Sequence, residues 1–188
     1  VETIDPQEID TLVVVHPKNL TRATQYAIDQ FVLKGGKAMV LVDPLSEEDQ
    51  TMPDPETPMI MPDRGSDLPD ILKAWGLRMV EGKVAGDFDA AIRVSYTGGR
   101  GPQQVEYLPW LRLEPGNLNQ DDFVTRGLKV VNVGAAGILE KVEGAATEFT
   151  PLIETGLHAA DLEREGLFLV RDPSALLDNF EPLNRKLV

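Results

Sequence analysis

The sequence predicts an α/β domain, on three observations. Two apolar runs, Leu12-Val13-Val14-Val15 and Ala38-Met39-Val40-Leu41-Val42, lack the polar alternation of a half-buried antiparallel strand. The segment between them has the apolar period of a helix, which makes the two runs a parallel pair joined by a right-handed crossover. Residues 92–108 read as two extended segments around a glycine-rich loop, an antiparallel hairpin annexed to the parallel core. Strands apolar on both sides call for cover on both faces, hence three layers.

Each element has a local reason. Asp5-Pro6 turns the chain into the first strand, and His16-Pro17-Lys18-Asn19-Leu20 forms the loop at its carboxyl end. The helix covers about residues 21–34. Ala27, Ile28, Phe31 and Val32 make its apolar stripe, opposite Arg22, Gln25, Asp29 and Gln30. Asn19 or Thr21 serves as its N-cap, Lys34 complements the dipole at its end, and Gly35-Gly36 stops it. The second strand then ends at Asp43-Pro44.

Residues 45–67 have a different texture. Pro53, Pro55, Pro58 and Pro62 alternate with Glu47, Glu48, Asp49, Asp54, Glu56 and Asp63, which predicts a long surface excursion. Met52, Met59 and Met61 are expected to pin this loop to its own domain, with docking on a partner as the alternative. Ser66-Asp67-Leu68-Pro69 opens a short helix closed by Gly76, with Leu68, Ile71, Leu72 and Trp75 on its buried face. Leu77 to Val80 and Val84 are extended, and Asp87-Phe88-Asp89 turns the chain into Ala91-Ile92-Arg93-Val94-Ser95-Tyr96. The hairpin loop is Thr97-Gly98-Gly99-Arg100-Gly101-Pro102, followed by Gln104 to Leu108 and a continuation through Leu113. Residues 127–133 give a further strand, and Asp172-Pro173-Ser174 caps a last short helix.

Composition narrows the function classes. With 31 acidic and 18 basic residues the formal charge is −13, which repels a phosphate backbone and argues against nucleic-acid binding. The absence of cysteine removes disulfides, thiolate metal sites and thiol nucleophiles. No run reaches the roughly 20 apolar residues of a membrane helix. The chain starts at Val1 and ends in the strand-like Arg185-Lys186-Leu187-Val188, so it reads as a single-domain fragment, residues 1–188, of a longer polypeptide.

Tests for particular chemistries fail on position. Gly35-Gly36 follows a helix, Gly98-Gly99-Arg100-Gly101 lies between strands, and Gly134-Ala135-Ala136-Gly137 has no helix of useful length behind it, so none fits a phosphate cradle. None of the serines stands in a nucleophile elbow. The two histidines, His16 and His158, are far apart, so the reading includes no metal and no cofactor. Asp43 with Asp87 or Asp89 reads as chance proximity among many acids. Ligands of open α/β sheets bind outside the carboxyl ends of the strands, which makes His16, Lys18, Asn19 and Asp43 the candidate ligand-binding residues. Turn and cap preferences give the same residues a structural reading. Tyr107 and Trp110, flanking Pro109, form either an aromatic platform for a sugar or part of the packing under a loop.

Together these residues also carry a resemblance. The string Leu12-Val13-Val14-Val15-His16-Pro17, then Ala27-Ile28-Asp29-Gln30-Phe31-Val32-Leu33-Lys34-Gly35-Gly36, then Val42-Asp43-Pro44 resembles the auxiliary component of an ABC-type transport system related to gliding-motility proteins. Trp75-Gly76-Leu77, Tyr107-Leu108-Pro109-Trp110-Leu111 and Pro151-Leu152-Ile153-Glu154-Thr155 extend it over about residues 5–180. The resemblance implies a non-enzymatic binding or scaffold domain. It places the domain in an extracytoplasmic, periplasmic region of the bacterial inner membrane, anchored by segments outside this sequence, with ABC permease and ATPase subunits as partners. It also implies a flavodoxin-like or glutamine-amidotransferase-like fold. The cysteine nucleophile of amidotransferases has no counterpart here, so their activity is not carried over. The alternatives are a glycan-directed hydrolase using His16, Asp43, Tyr107 and Trp110, and a small-ligand-binding domain.

Overall fold

The computed structural model describes residues 3–57, 59–98 and 101–188. The expectations placed on Val1, Pro58, Gly99 and Arg100 lie outside these residues. In chain order the elements are β1 (Thr11–Val15), α1 (Arg22–Leu33), β2 (Lys37–Leu41), α2 (Pro69–Ala74), β3 (Leu77–Met79), β4 (Lys83–Asp87), β5 (Ala91–Gly98), β6 (Gly101–Leu113), β7 (Val131–Gly134), β8 (Leu139–Lys141), β9 (Ala159–Glu163), α3 (Arg164–Leu167) and α4 (Ala175–Asp178), with a single 3-10 turn at Pro115–Asn117.

The first unit forms as its residues dictate. β1 and β2 run parallel, with Thr11 opposite Lys37 and Val15 opposite Leu41. Thr21 caps α1, its hydroxyl accepting from the Thr24 amide at 3.2 Å, so of the two candidate caps it is Thr21 that acts. Gly35, at φ +93°, ends the helix in the left-handed conformation. Gly36 is required by a close approach: a Cβ there would stand 2.4 Å from the ring of Phe31, which is wholly buried. Ile28 packs with Leu68 and Ile71, and Leu12, Val14, Val40 and Trp75 close around them. The Trp75 indole donates to Asp29 at 3.0 Å, which satisfies its polar end.

The expected second cover is missing, and this corrects the fold class. In-register parallel pairing puts Val13, Val15, Met39 and Leu41 on the face opposite α1, where they are 55, 63, 53 and 44% exposed. Among the described residues the β1–β2 sheet has only these two strands, and the other sheets are antiparallel: β3 with β8, β4 with β9, and β5–β6–β7. The chain is therefore neither flavodoxin-like nor amidotransferase-like, and it has no three-layer parallel core. An unbroken apolar run specifies a strand but not how many of its faces are covered.

The antiparallel part supplies most of the structure. Its hairpin is tighter than the sequence suggests, since β5 and β6 remain paired up to Gly98 opposite Gly101. At the other end Ile92 faces Tyr107 while Ala91 faces Leu111, so the intervening residues of β6 bulge out around Pro109. A bulge suits a proline, which has no amide hydrogen for the ladder. The Pro109 carbonyl still accepts from Ala135 at 2.8 Å. The interior is divided among several small apolar clusters. One joins Leu45, Val84, Ala135 and Leu167, another Ala85, Ile138, Ala159 and Leu187, and a third Ala90, Leu111 and Leu113.

Candidate functional site

The carboxyl ends of β1 and β2 carry a polar network, and the Pro-rich excursion folds over it. His16 continues the ladder, its amide donating to the Leu41 carbonyl at 2.9 Å, yet it takes φ +46°. Asn19 takes φ +53°. Two non-glycine residues in the left-handed region within four positions bend the chain sharply, and asparagine and histidine tolerate that region better than most. The bend presents the His16 and Lys18 side chains to the same acceptor. His16 Nε2 lies 3.2 Å and Lys18 Nζ 2.6 Å from Oδ2 of Asp49.

Lys18 does more than pair with one carboxylate. Its ammonium also donates to the Asp63 carbonyl at 2.8 Å and lies 3.3 Å from the Thr51 hydroxyl. Asp49 in turn accepts the Thr51 amide and hydroxyl on Oδ1, at 2.8 and 2.6 Å. One side chain thus ties both stems of the excursion to the end of β1. These donors, the Lys18 ammonium first, then Thr51 and His16, hold the Asp49 carboxyl well below the usual carboxylate range. Nδ1 of His16 is shielded from solvent and has no protein partner.

Asp43 anchors the other side. Its backbone bridges to Ser66, with the Ser66 amide donating at 2.7 Å, and its Oδ1 accepts from Leu45 at 2.8 Å. Burial pushes the Asp43 carboxyl up and the Glu47 charge adds to this, against the opposing Leu45 amide and His16. Glu47 leads on to the aromatic pair: its Oε1 accepts from the Trp110 indole at 2.8 Å. Trp110 and Tyr107 meet edge to face, 5.4 Å between ring centres at 83°. Burial, and then Glu47, push the Tyr107 hydroxyl up.

The structure therefore brings His16 and Lys18 together on Asp49. Asp43 and the aromatic pair stand beside them through Glu47. An open cavity of about 590 Å³ lies between the strand-end loop and the excursion. Its wall includes Lys18, Asn19, Thr51, Met52, Asp63 and Ser66 but not His16, Asp43, Tyr107 or Trp110. Asp87 and Asp89 belong elsewhere. Asp87 is wholly buried and accepts from the amides of Asp89, Ala90 and Gly156 at 2.9, 3.3 and 2.5 Å, and Asp89 pairs with His158 at 2.9 Å.

Sequence reasoning missed Asp49, Asp63 and Ser66, all placed in the excursion or at its edge. The Asp-x-Thr spacing at Asp49 and Thr51 was a usable signal for a side chain that folds back on its own backbone. The three methionines do not pin the loop: Met52, Met59 and Met61 are 80, 96 and 50% exposed.

Among the described residues no helix is long and apolar enough to cross a membrane, and no group of three or more His, Asp or Glu side chains forms a metal set. No curated protein and no solved structure matches the chain. A family model described as an ABC-type uncharacterized transport system matches residues 1–188. The chain belongs to that family, as an auxiliary component of an ABC-type transport system.

Proposed function

We propose that the domain is a non-enzymatic binding or scaffold module of its transport system, acting on the extracytoplasmic side of the bacterial inner membrane in a membrane-anchored parent protein. Its partners in this reading are the permease and ATPase subunits, in an assembly of the gliding-motility kind. The observation that carries the reading is the use made of the strand ends. Where an α/β enzyme keeps polar groups free for substrate, His16 and Lys18 here hold the Asp49 carboxylate and Asp43 holds its own loop. The family match over residues 1–188 supplies the transport setting.

The test is reciprocal affinity purification of the full gene product, co-expressed with the permease and ATPase subunits of an ABC-type transport system from the same organism. Co-purification in detergent that survives moderate salt supports the reading. Failure to recover either subunit, together with turnover of a hydrolase or transferase substrate by the purified protein, overturns it.

One observation favours a second reading, the glycan-directed hydrolase. Glu47 stands between Asp43 and the Tyr107–Trp110 pair, setting two carboxyl groups beside an aromatic surface. Glycan hydrolysis lost in Glu47→Gln would establish it, and inactivity of the unaltered protein on a glycan panel would remove it.

A further inference from the structure

The excursion held by Lys18 combines exposed apolar side chains with a one-sided charge. Met52, Met59, Ile60 and Met61 are 80, 96, 65 and 50% exposed. From residue 45 to residue 63 the chain has six carboxylates and no cation. Of the six, Asp49 and Asp63 are engaged by Lys18 and Arg164, and Glu47 by Trp110. Among the described residues Glu48, Asp54 and Glu56 have no ion-pair partner, and all three are exposed. Methionine is adaptable in contact, and a contiguous apolar patch with a polar rim marks an interaction surface.

Charge decides the kind of partner. A second copy of this chain brings another −13 and an anionic bilayer repels the same loop, so neither complements it. We infer that Met52 and residues 59–61 form a docking surface for a protein partner that offers an apolar stripe flanked by lysine or arginine. Two features lower the ordering cost of that contact: Pro53 and Pro55 restrict the backbone, and the Lys18 ammonium fixes both stems, on Asp49 Oδ2 at 2.6 Å and the Asp63 carbonyl at 2.8 Å. The inference goes beyond the transport assignment and stands on the surface alone.

The five methionines make the test direct, because they divide between the loop (Met52, Met59, Met61), the open sheet face (Met39) and β3 (Met79). The whole chain, labelled with 13C at the methionine methyls, is titrated with a synthetic amphipathic helix whose leucine stripe is flanked by lysines. The expected result is movement of the Met59 and Met61 signals with Met39 and Met79 unchanged. Binding should weaken about tenfold in Ile60→Ser and in the double variant Asp54→Lys, Glu56→Lys. All three positions are exposed, so these variants fold. The same helix with glutamates in place of lysines, and vesicles containing phosphatidylglycerol, should give no response. Movement of Met39 in place of the loop signals, an equal response to the glutamate helix, a response to vesicles alone, or no movement at all would overturn the inference.

Discussion

Lys18 and Asp49, 31 residues apart in sequence, meet at 2.6 Å, and the same ammonium reaches the carbonyl of Asp63 at 2.8 Å. One cation at the end of β1 thereby closes a loop whose composition would otherwise leave it without fixed structure. Proline-rich acidic chain has few backbone donors and little apolar surface to bury in its own fold, so its position depends on such a side-chain contact.

The closure is acid-sensitive. Asp49 is depressed in the folded state, so its contribution to stability is fully present above the ordinary aspartate value of about 3.9 and is lost as pH falls through the lower folded value. The 13C shift of the Asp49 carboxyl is expected to titrate well below the values ordinary for aspartate. In Lys18→Met it should return most of the way to them.

Asp43 has the opposite sign. Its folded value is raised, so the protonated form is favoured on folding and stability falls as pH rises from the unfolded value through the folded one. Asp43→Asn keeps an acceptor for the Leu45 amide and removes the charge. It is expected to raise the melting temperature at pH 7 by a few degrees and to change it little well below the ordinary aspartate value, where the carboxyl is protonated folded and unfolded alike.

The open sheet face separates the observed fold from the three-layer one. Val13 points to solvent while Val14 packs under α1. Val13→Lys is expected to cost less than about 0.5 kcal/mol, and Val14→Lys to unfold the domain by placing an unpaired charge in the core. A thermal melt of each variant checks this, since a covered second face would make the two equally damaging.

Gly36 offers a packing test. Its missing Cβ is where the buried Phe31 ring lies. Gly36→Ala is expected to destabilise by about 1–3 kcal/mol through overpacking, measurable by urea unfolding.

The β-α-β unit was legible because its signals are local: the apolar stripe of α1, the Thr21 cap and the Gly35 stop all lie within one stretch of chain. The α2 face and the turn into β5 were readable for the same reason. What escaped was set by distant pairing. Ala159-Ala160-Asp161-Leu162-Glu163 has no β-branched residue and is a strand only because β4 lies alongside it. The open face of β1 and β2 depends on where the remaining strands went, which no local pattern records. At the site, the sequence pointed to His16, Lys18, Asn19 and Asp43; the structure joins His16 and Lys18 on Asp49, turns Asp43 onto its own loop and leaves Asn19 in the cavity wall. Their partners could not be read, because Asp49 and Asp63 lie in a segment whose composition signals only a loop.

The most direct measurement is amide hydrogen exchange over residues 46–65 in the unaltered protein and in Lys18→Met. If Lys18 holds the excursion, protection at Thr51 and Gly65, whose amides bond to Asp49 and Asp63, is lost in the variant, while Val14 and Leu41 in the β1–β2 ladder keep theirs. Unchanged exchange at Thr51 and Gly65 in the variant would contradict the account.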